Sequence, residues 1–166
     1  MNRIIKKIIN KLNLKKHSEG GYFSEVYRAK EIIKKNSLPK RFIGNRNIST
    51  SIYFLLCDNE FSAFHKLKAD EVWHFYSGSP LNIYIIQKNG KLKKIILGEK
   101  YNYQLVIEKE QWFAAEVSED NSYSLVGCTV APGFDFRDFT LGDRNKLIKL
   151  FPKHKKLIER LTRINI

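Results

Sequence analysis

The side chains with the most chemical scope in this 166-residue chain lie in one stretch, Phe61-Ser62-Ala63-Phe64-His65-Lys66-Leu67-Lys68-Ala69-Asp70-Glu71-Val72-Trp73-His74-Phe75-Tyr76-Ser77-Gly78. A histidine titrates at about 6.5 and can accept or donate a proton near neutrality. A carboxylate inside an apolar run is costly to bury unless it is paired or used. His65 and Glu71 share strand parity if the turn between them preserves it, so both are expected to face one interior. His74 lies three positions from Glu71, which puts it on the opposite face of a regular strand unless a bulge restores it. The candidate catalytic residues are therefore His65, Glu71 and His74. His65 is the candidate base, oriented by Glu71 or by an aspartate of Phe134-Asp135-Phe136-Arg137-Asp138, with Tyr53 or Tyr76 as the opposing acid. Such a set suits proton abstraction beside a ketone, as in epimerisation or isomerisation of a keto-sugar.

Around this centre, Arg28, Tyr53, Trp112, Phe113, Asp135 and Asp138 are the candidate ligand-binding residues. Arg28 has the planar fork that suits phosphate or carboxylate, and a salt bridge to Glu25 is the alternative. Trp112 and Phe113 are candidates for stacking on a base or sugar face, or for the core. Asp135 and Asp138 stand near Pro132-Gly133 and can serve as turn caps instead. Gly20-Gly21 lacks the Lys-Ser/Thr of a phosphate-binding loop, and no Gly-x-Ser-x-Gly elbow occurs.

The elements that must position these residues are mostly strands. Period-two apolar patterns rich in β-branched and aromatic residues predict strands at 22–29, 49–57, 61–67, 71–77, 81–87, 91–97, 104–108, 112–117 and 123–131. Asn89-Gly90 marks a hairpin, and Ser18-Glu19-Gly20-Gly21 separates the first helix from the first strand. So many short strands in about 110 residues predict a closed or double-sheet β architecture. At the N-terminus Ile4, Ile5, Ile8, Ile9 and Leu12 follow helical spacing. At the other end Asp143 is the expected cap of a helix through Leu147, Ile148 and Phe151, and Pro152 opens a second carrying Leu157, Ile158 and Leu161. The expected organisation is one domain over 1–166, with a basic helix at 1–16, a β-barrel at 17–142 and basic helices at 143–166.

The net charge of +13 resides in those two ends, while residues 17–143 balance to zero. A lysine-rich solvated helix face accounts for this, and the helices lack the interleaved aromatics of a single-strand stacking platform, so nucleic acid is not the expected partner. The longest apolar runs, such as 51–57, fall far short of the ~20 residues of a membrane span, and residues 1–16 lack the apolar region of a secretory signal. A cytoplasmic protein is expected, with Cys57 and Cys128 as buried free thiols.

The central stretch resembles the first signature motif of the cupin superfamily, with His65, Glu71 and Gly78 at the motif's His, Glu and Gly positions. Leu67 stands where the motif has its second His. Phe113 falls where the second motif has its further His, and Glu108-Lys109-Glu110 replaces its Pro-x-Gly. Glu19-Gly20-Gly21-Tyr22-Phe23-Ser24-Glu25-Val26-Tyr27-Arg28, Asp70-Glu71-Val72-Trp73-His74-Phe75-Tyr76 and Leu125-Val126-Gly127-Cys128-Thr129-Val130-Ala131-Pro132-Gly133-Phe134-Asp135-Phe136 together resemble the cupin-5 family of small cupins, over about residues 17–162. That resemblance implies an all-β fold with flanking helices, a cupin-type double-stranded β-helix (jelly-roll barrel) with a pocket inside. It also implies a homodimer and a shape similar to nucleotide-sugar epimerases.

A stable transition-metal site needs three or four converging N/O donors. Leu67 and Phe113 offer no lone pairs, so no cofactor and no metal are expected, with a site of His65, Glu71 and His74 as the alternative. The expected function is binding of a small polar or anionic molecule, such as a sugar nucleotide, by a metal-independent epimerase or isomerase. The alternatives are a non-catalytic ligand-binding cupin and a metal-dependent oxygenase or lyase.

Overall fold

The computed structural model describes residues 3–164. Helix α1 (Arg3–Lys11) turns its lysines outward and buries Ile5. Thirteen strands follow among the described residues: β1 (Lys15–Lys16), β2 (Tyr22–Arg28), β3 (Ile32–Ile33), β4 (Arg46–Asn47), β5 (Thr50–Cys57), β6 (Phe61–Leu67), β7 (Asp70–Gly78), β8 (Leu81–Ile86), β9 (Leu92–Leu97), β10 (Gln104–Ile107), β11 (Trp112–Val117), β12 (Tyr123–Ala131) and β13 (Phe139–Leu141). Helices α2 (Arg144–Leu150) and α3 (Lys155–Arg160) close the chain. The nine expected strands all form, within a residue or two at each end. The parts of the expected terminal helices at residues 1–2 and 165–166 lie outside the described residues.

The strands assemble into a six-stranded sheet, in the order β1-β2-β5-β12-β7-β10, and a five-stranded sheet, β13-β6-β11-β8-β9. Every paired strand in them is antiparallel, and β3 and β4 pair separately. The alternation read from sequence explains why two sheets face each other. Phe54, Trp73, Phe75 and Val126 from the six-stranded sheet meet Leu81, Ile83, Ile85 and Phe113 from the other in one apolar core. This is the jelly roll. The Asn89-Gly90 turn joins β8 to β9, with Gly90 in the left-handed region at φ 78°.

The basic helices cover the outer face of the five-stranded sheet and one end of the outer face of the six-stranded sheet. Ile5 of α1 packs on Leu55 and Cys57 of β5, whereas Leu147 of α2 and Ile158 of α3 pack on Phe64, Tyr84, Ile86 and Ala114 of the five-stranded sheet. Asp143 caps α2 by accepting from Lys146 N at 2.8 Å. Pro152 opens a short 3-10 turn, and α3 starts after it. Cys57 and Cys128 are buried free thiols. No helix among the described residues is long and apolar enough to cross a membrane.

One buried ion pair ties the loops at the barrel end together. The Arg46 guanidinium donates to both oxygens of Asp138, at 2.5 and 2.7 Å, with both side chains almost fully buried. The two residues lie 92 positions apart in sequence. Asp138, expected as a ligand-binding residue, is thus committed to fold geometry, since both its oxygens are taken by Arg46.

Candidate functional site

A cavity of about 300 Å³ opens at the end of the barrel, between β2, β5, β7 and β12 on one side and β6, β13 and the 134–139 segment on the other. His65 and Glu71 both line it, as their shared parity predicts. His65 is 2% exposed. Its Nδ1 lies 2.8 Å from the Ala63 carbonyl oxygen, which can only accept, so Nδ1 carries the proton and Nε2 faces the other way. There Nε2 meets Glu19 Oε2 at 3.2 Å. Behind the imidazole, the Phe113 ring packs at a centroid distance of 4.1 Å.

Burial drives both members of this pair toward their neutral forms. It lowers the His65 pKa, against the opposing pull of Glu71 and the Ala63 carbonyl, and it raises that of Glu19. The 3.2 Å approach is then one proton held between a carboxyl and an imidazole. Glu19 is steadied further by Ser62, whose hydroxyl donates to Oε1 at 2.9 Å. His17 lies beside it and accepts the Glu19 backbone N–H on Nδ1 at 3.3 Å. Burial lowers the His17 pKa also.

Glu71 is placed differently. It is 7% exposed, and its Oε2 has no hydrogen-bond partner. Burial raises its pKa to about 7, opposed by His65 and the Trp73 N–H and reinforced by Glu19. Cys128 shares the lining, its thiol pushed well up by burial and by the charges of Glu71 and Glu19.

At the mouth stand Arg28 and Asp135, each already engaged. Arg28 donates through Nε at 2.9 Å and Nη2 at 2.7 Å to the two oxygens of Glu25, and through Nη1 to Asn47 Oδ1 and the Phe134 carbonyl. Asp135 accepts from the Arg137 backbone N–H and from its guanidinium, which together hold its carboxyl well below the usual range. Asp135 also caps its turn, the alternative its sequence position suggested.

The other expected residues lie elsewhere. His74 sits on the outer face of β7, where its Nδ1 meets Gln104 Nε2 at 3.1 Å. No bulge separates it from Glu71, so regular parity carries it away from the cavity. Tyr53 belongs to the outer face of β5, packed on Tyr76 at 5.9 Å, and Tyr76 is itself half exposed. Trp112 packs outside the barrel beside the C-terminal helices, with the Lys66 ammonium 5.3 Å from its ring. Phe113 faces inward as a core residue behind His65, not as part of the cavity wall.

Sequence reasoning missed Glu19 and His17, because Ser18-Glu19-Gly20-Gly21 reads as a linker. The signal was there in the glycines. Gly20 has φ 116°, and a Cβ on it would overlap the Phe61 carbonyl. Only glycine lets this turn press against β6, where the Glu19 carbonyl accepts from Ala63 N and its side chain reaches Ser62 and His65.

Residues 6–142 match the family model Cupin_5, described as cupin superfamily (DUF985). The chain is a Cupin_5 protein. It is 29% identical over 150 residues to the uncharacterized protein YML079W of Saccharomyces cerevisiae, covering 82% of this chain and 74% of that one. Among solved structures, protein SO0799 of Shewanella oneidensis superposes with TM-score 0.86 at 35% identity, over 96% of this chain and 98% of that one. A hypothetical protein from Leishmania major gives 0.84 at 28% identity over the same shares. Oxalate decarboxylase of Bacillus subtilis shares the fold alone, with TM-score 0.55 at 15% identity, over 88% of this chain and 36% of that one.

Cupins are known for bound metal, and the donors of this Cupin_5 protein do not fit one. Among the described residues no group of three or more His, Cys, Asp or Glu side chains is arranged to hold a metal ion. Leu67 and Phe113 supply no donor atoms, His74 faces outward, and His65 Nε2 is engaged by Glu19.

Proposed function

We propose that this Cupin_5 protein binds a small polar molecule in its barrel and moves a proton on it, as a metal-independent epimerase or isomerase of a keto-sugar or sugar nucleotide. The observation that carries this reading is Glu71 Oε2, buried, unpartnered and beside the His65–Glu19 pair, with a pKa of about 7. A base is most effective when its pKa lies near the working pH. Glu71 is the better base, and not His65, because His65 Nε2 already faces a carboxyl. In the proposed step the Glu71 carboxylate takes a proton from the carbon beside a substrate carbonyl. The C–H electrons pass to the carbonyl oxygen, and the Glu19–His65 pair supplies a proton to that oxygen. Returning the proton from Glu71 to the former carbonyl carbon, while the Glu19–His65 pair takes the proton of the adjacent hydroxyl, gives an isomer. An epimer forms when the enol turns over in the cavity before Glu71 returns the proton to the same carbon and the pair takes back the enol proton.

The cavity lies at the lower end of the size range of ligand pockets, about 300–1,000 Å³. It suits one sugar-sized unit, so the nucleotide of a larger substrate would remain outside the mouth. The test is incorporation of solvent deuterium, followed by NMR, into a panel of free ketoses and 4-keto nucleotide sugars. Exchange is expected with the native protein and is expected to fall by about 10²–10⁴ in Glu71→Gln, the usual worth of a general base. Exchange at the native rate in both Glu71→Gln and His65→Ala would overturn the mechanism. The phenylalanine-rich mouth favours a second reading, a non-catalytic ligand-binding cupin, which predicts binding of the same panel with no exchange.

A further inference from the structure

The closed end of the cavity carries two carboxyl groups and, among the described lining residues, no free cation. Glu19 and Glu71 reach it from the turn before β2 and from β7, and the imidazoles beside them, His17 and His65, are held toward their neutral forms. The guanidinium groups near the mouth are both spent, Arg28 on the two oxygens of Glu25 and Arg137 on the two oxygens of Asp135. Even the Cys128 thiol registers the negative field of Glu71 and Glu19.

Glu71 Oε2 is more than nine-tenths buried, lines the cavity and has no partner within the protein. A buried polar atom left without a partner is costly, and native proteins keep few of them. An ionised carboxylate oxygen accepts and cannot donate, so whatever satisfies it must bring an O–H or N–H. Carboxylate or phosphate groups bring none, and above about pH 7 they would meet the Glu71 carboxylate in a site with little water to screen the repulsion. Phe23, Ile52, Phe54 and Leu67 line the same space and offer apolar surface to the carbon part of a ligand.

We propose that the closed end of the cavity is a donor-selecting subsite: it takes the hydroxyl or protonated-amine end of a small molecule and turns away carboxylate and phosphate groups. This rests on the reading of the barrel as a ligand site and names the class of group that site takes. A sugar nucleotide would enter sugar first, with its phosphates left outside the mouth.

Three probes of one shape separate the outcomes: benzyl alcohol, benzylamine and benzoate, compared by ligand-observed NMR at about pH 8, above the Glu71 value. The alcohol and the amine are expected to bind, with benzoate weaker by at least about tenfold. Glu71→Gln is expected to weaken the amine and to narrow the gap to benzoate. Native protein that binds benzoate as well as the alcohol overturns the proposal. So does an order that survives in the Glu71→Gln, Glu19→Gln double variant, or a cavity that takes none of the three. Should either variant fail to fold, the order in native protein decides alone. The catalytic reading fails separately: the expected order without deuterium exchange leaves the subsite standing and removes the chemistry. Exchange with benzoate preferred does the reverse.

Discussion

At the scale of single residues, Glu71 sets a conflict between stability and chemistry that has a measurable sign. Its ordinary pKa is 4.5, and in the fold it is about 7. Below the first value both folded and unfolded chains carry the proton and Glu71 costs nothing. Between the two values the unfolded chain releases its proton first, so stability falls as pH rises, and the loss is complete above pH ~7. The displacement corresponds to about 3 kcal/mol, at about 1.4 kcal/mol per pKa unit. Glu71→Gln keeps the shape and removes the ionisation. Its melting temperature is expected to match the native protein at about pH 4 and to exceed it by roughly 6–12 °C at about pH 8, given ~2–4 °C per kcal/mol for a chain of this size. An equal melting temperature at both values would show that Glu71 is not held protonated. His65 and His17 shift the other way and cost stability as pH falls; His17 is common to both proteins and cancels in the difference, whereas His65 loses the pull of Glu71 in the variant. Residue identity alone revealed half of this site. His65 and Glu71 stand out as polar groups in apolar strands, whereas Glu19 is meaningful only once Gly20 brings its turn onto β6.

At the scale of elements, the long strands were legible because each carries enough alternation to declare a face. The two- and three-residue strands β1, β3, β4 and β13 were not, since so few residues hold no period and form only where a partner strand meets them. Parity also explains why His74 and Tyr53 were misassigned. From the interior position of Glu71, alternation carries His74 outward, beside Gly127 and Gln104, and only a bulge between the two would have returned it to the interior. The cavity wall depends on another unreadable link, the Arg46–Asp138 pair that holds the 134–139 segment against β4. Removing Arg46 leaves the buried Asp138 with only Lys68, 3.8 Å away and partly exposed, as a counter-charge. Arg46→Ala is therefore expected to cost about 3–5 kcal/mol, whereas Arg46→Met with Asp138→Leu is expected to recover most of it. Urea denaturation of the two variants checks this, and a double variant as unstable as Arg46→Ala would mean that the pair's geometry, not its charge balance, is what the loops require.

At the scale of the whole molecule, the question is what meets the outside of the six-stranded sheet. Helix α1 covers one end of that face, over Leu55 and Cys57. The other end carries a cross-strand row in which Tyr27, Ser51, Thr129, Val72 and Val106 are neighbours in turn. Tyr27 and Val106 at its ends are both more than half exposed, as is the nearby Tyr76. The row holds no charged side chain, unlike the lysine-bearing helices at its margin and on the opposite sheet. This is the face proposed for the homodimer expected from the sequence, since a two-fold contact joins like surface to like and a charged face would repel itself. Two copies of a +13 chain still repel at long range. Association is accordingly expected to strengthen as salt rises and screens the basic helices, the opposite of a contact held by ion pairs. Thr129→Arg, at the centre of the row, is expected to give a monomer by sedimentation velocity without altering the cavity, which lies on the other side of the sheet. A native protein that sediments as a monomer at every salt concentration would remove the dimer, and a dimer indifferent to Thr129→Arg would move it to another face.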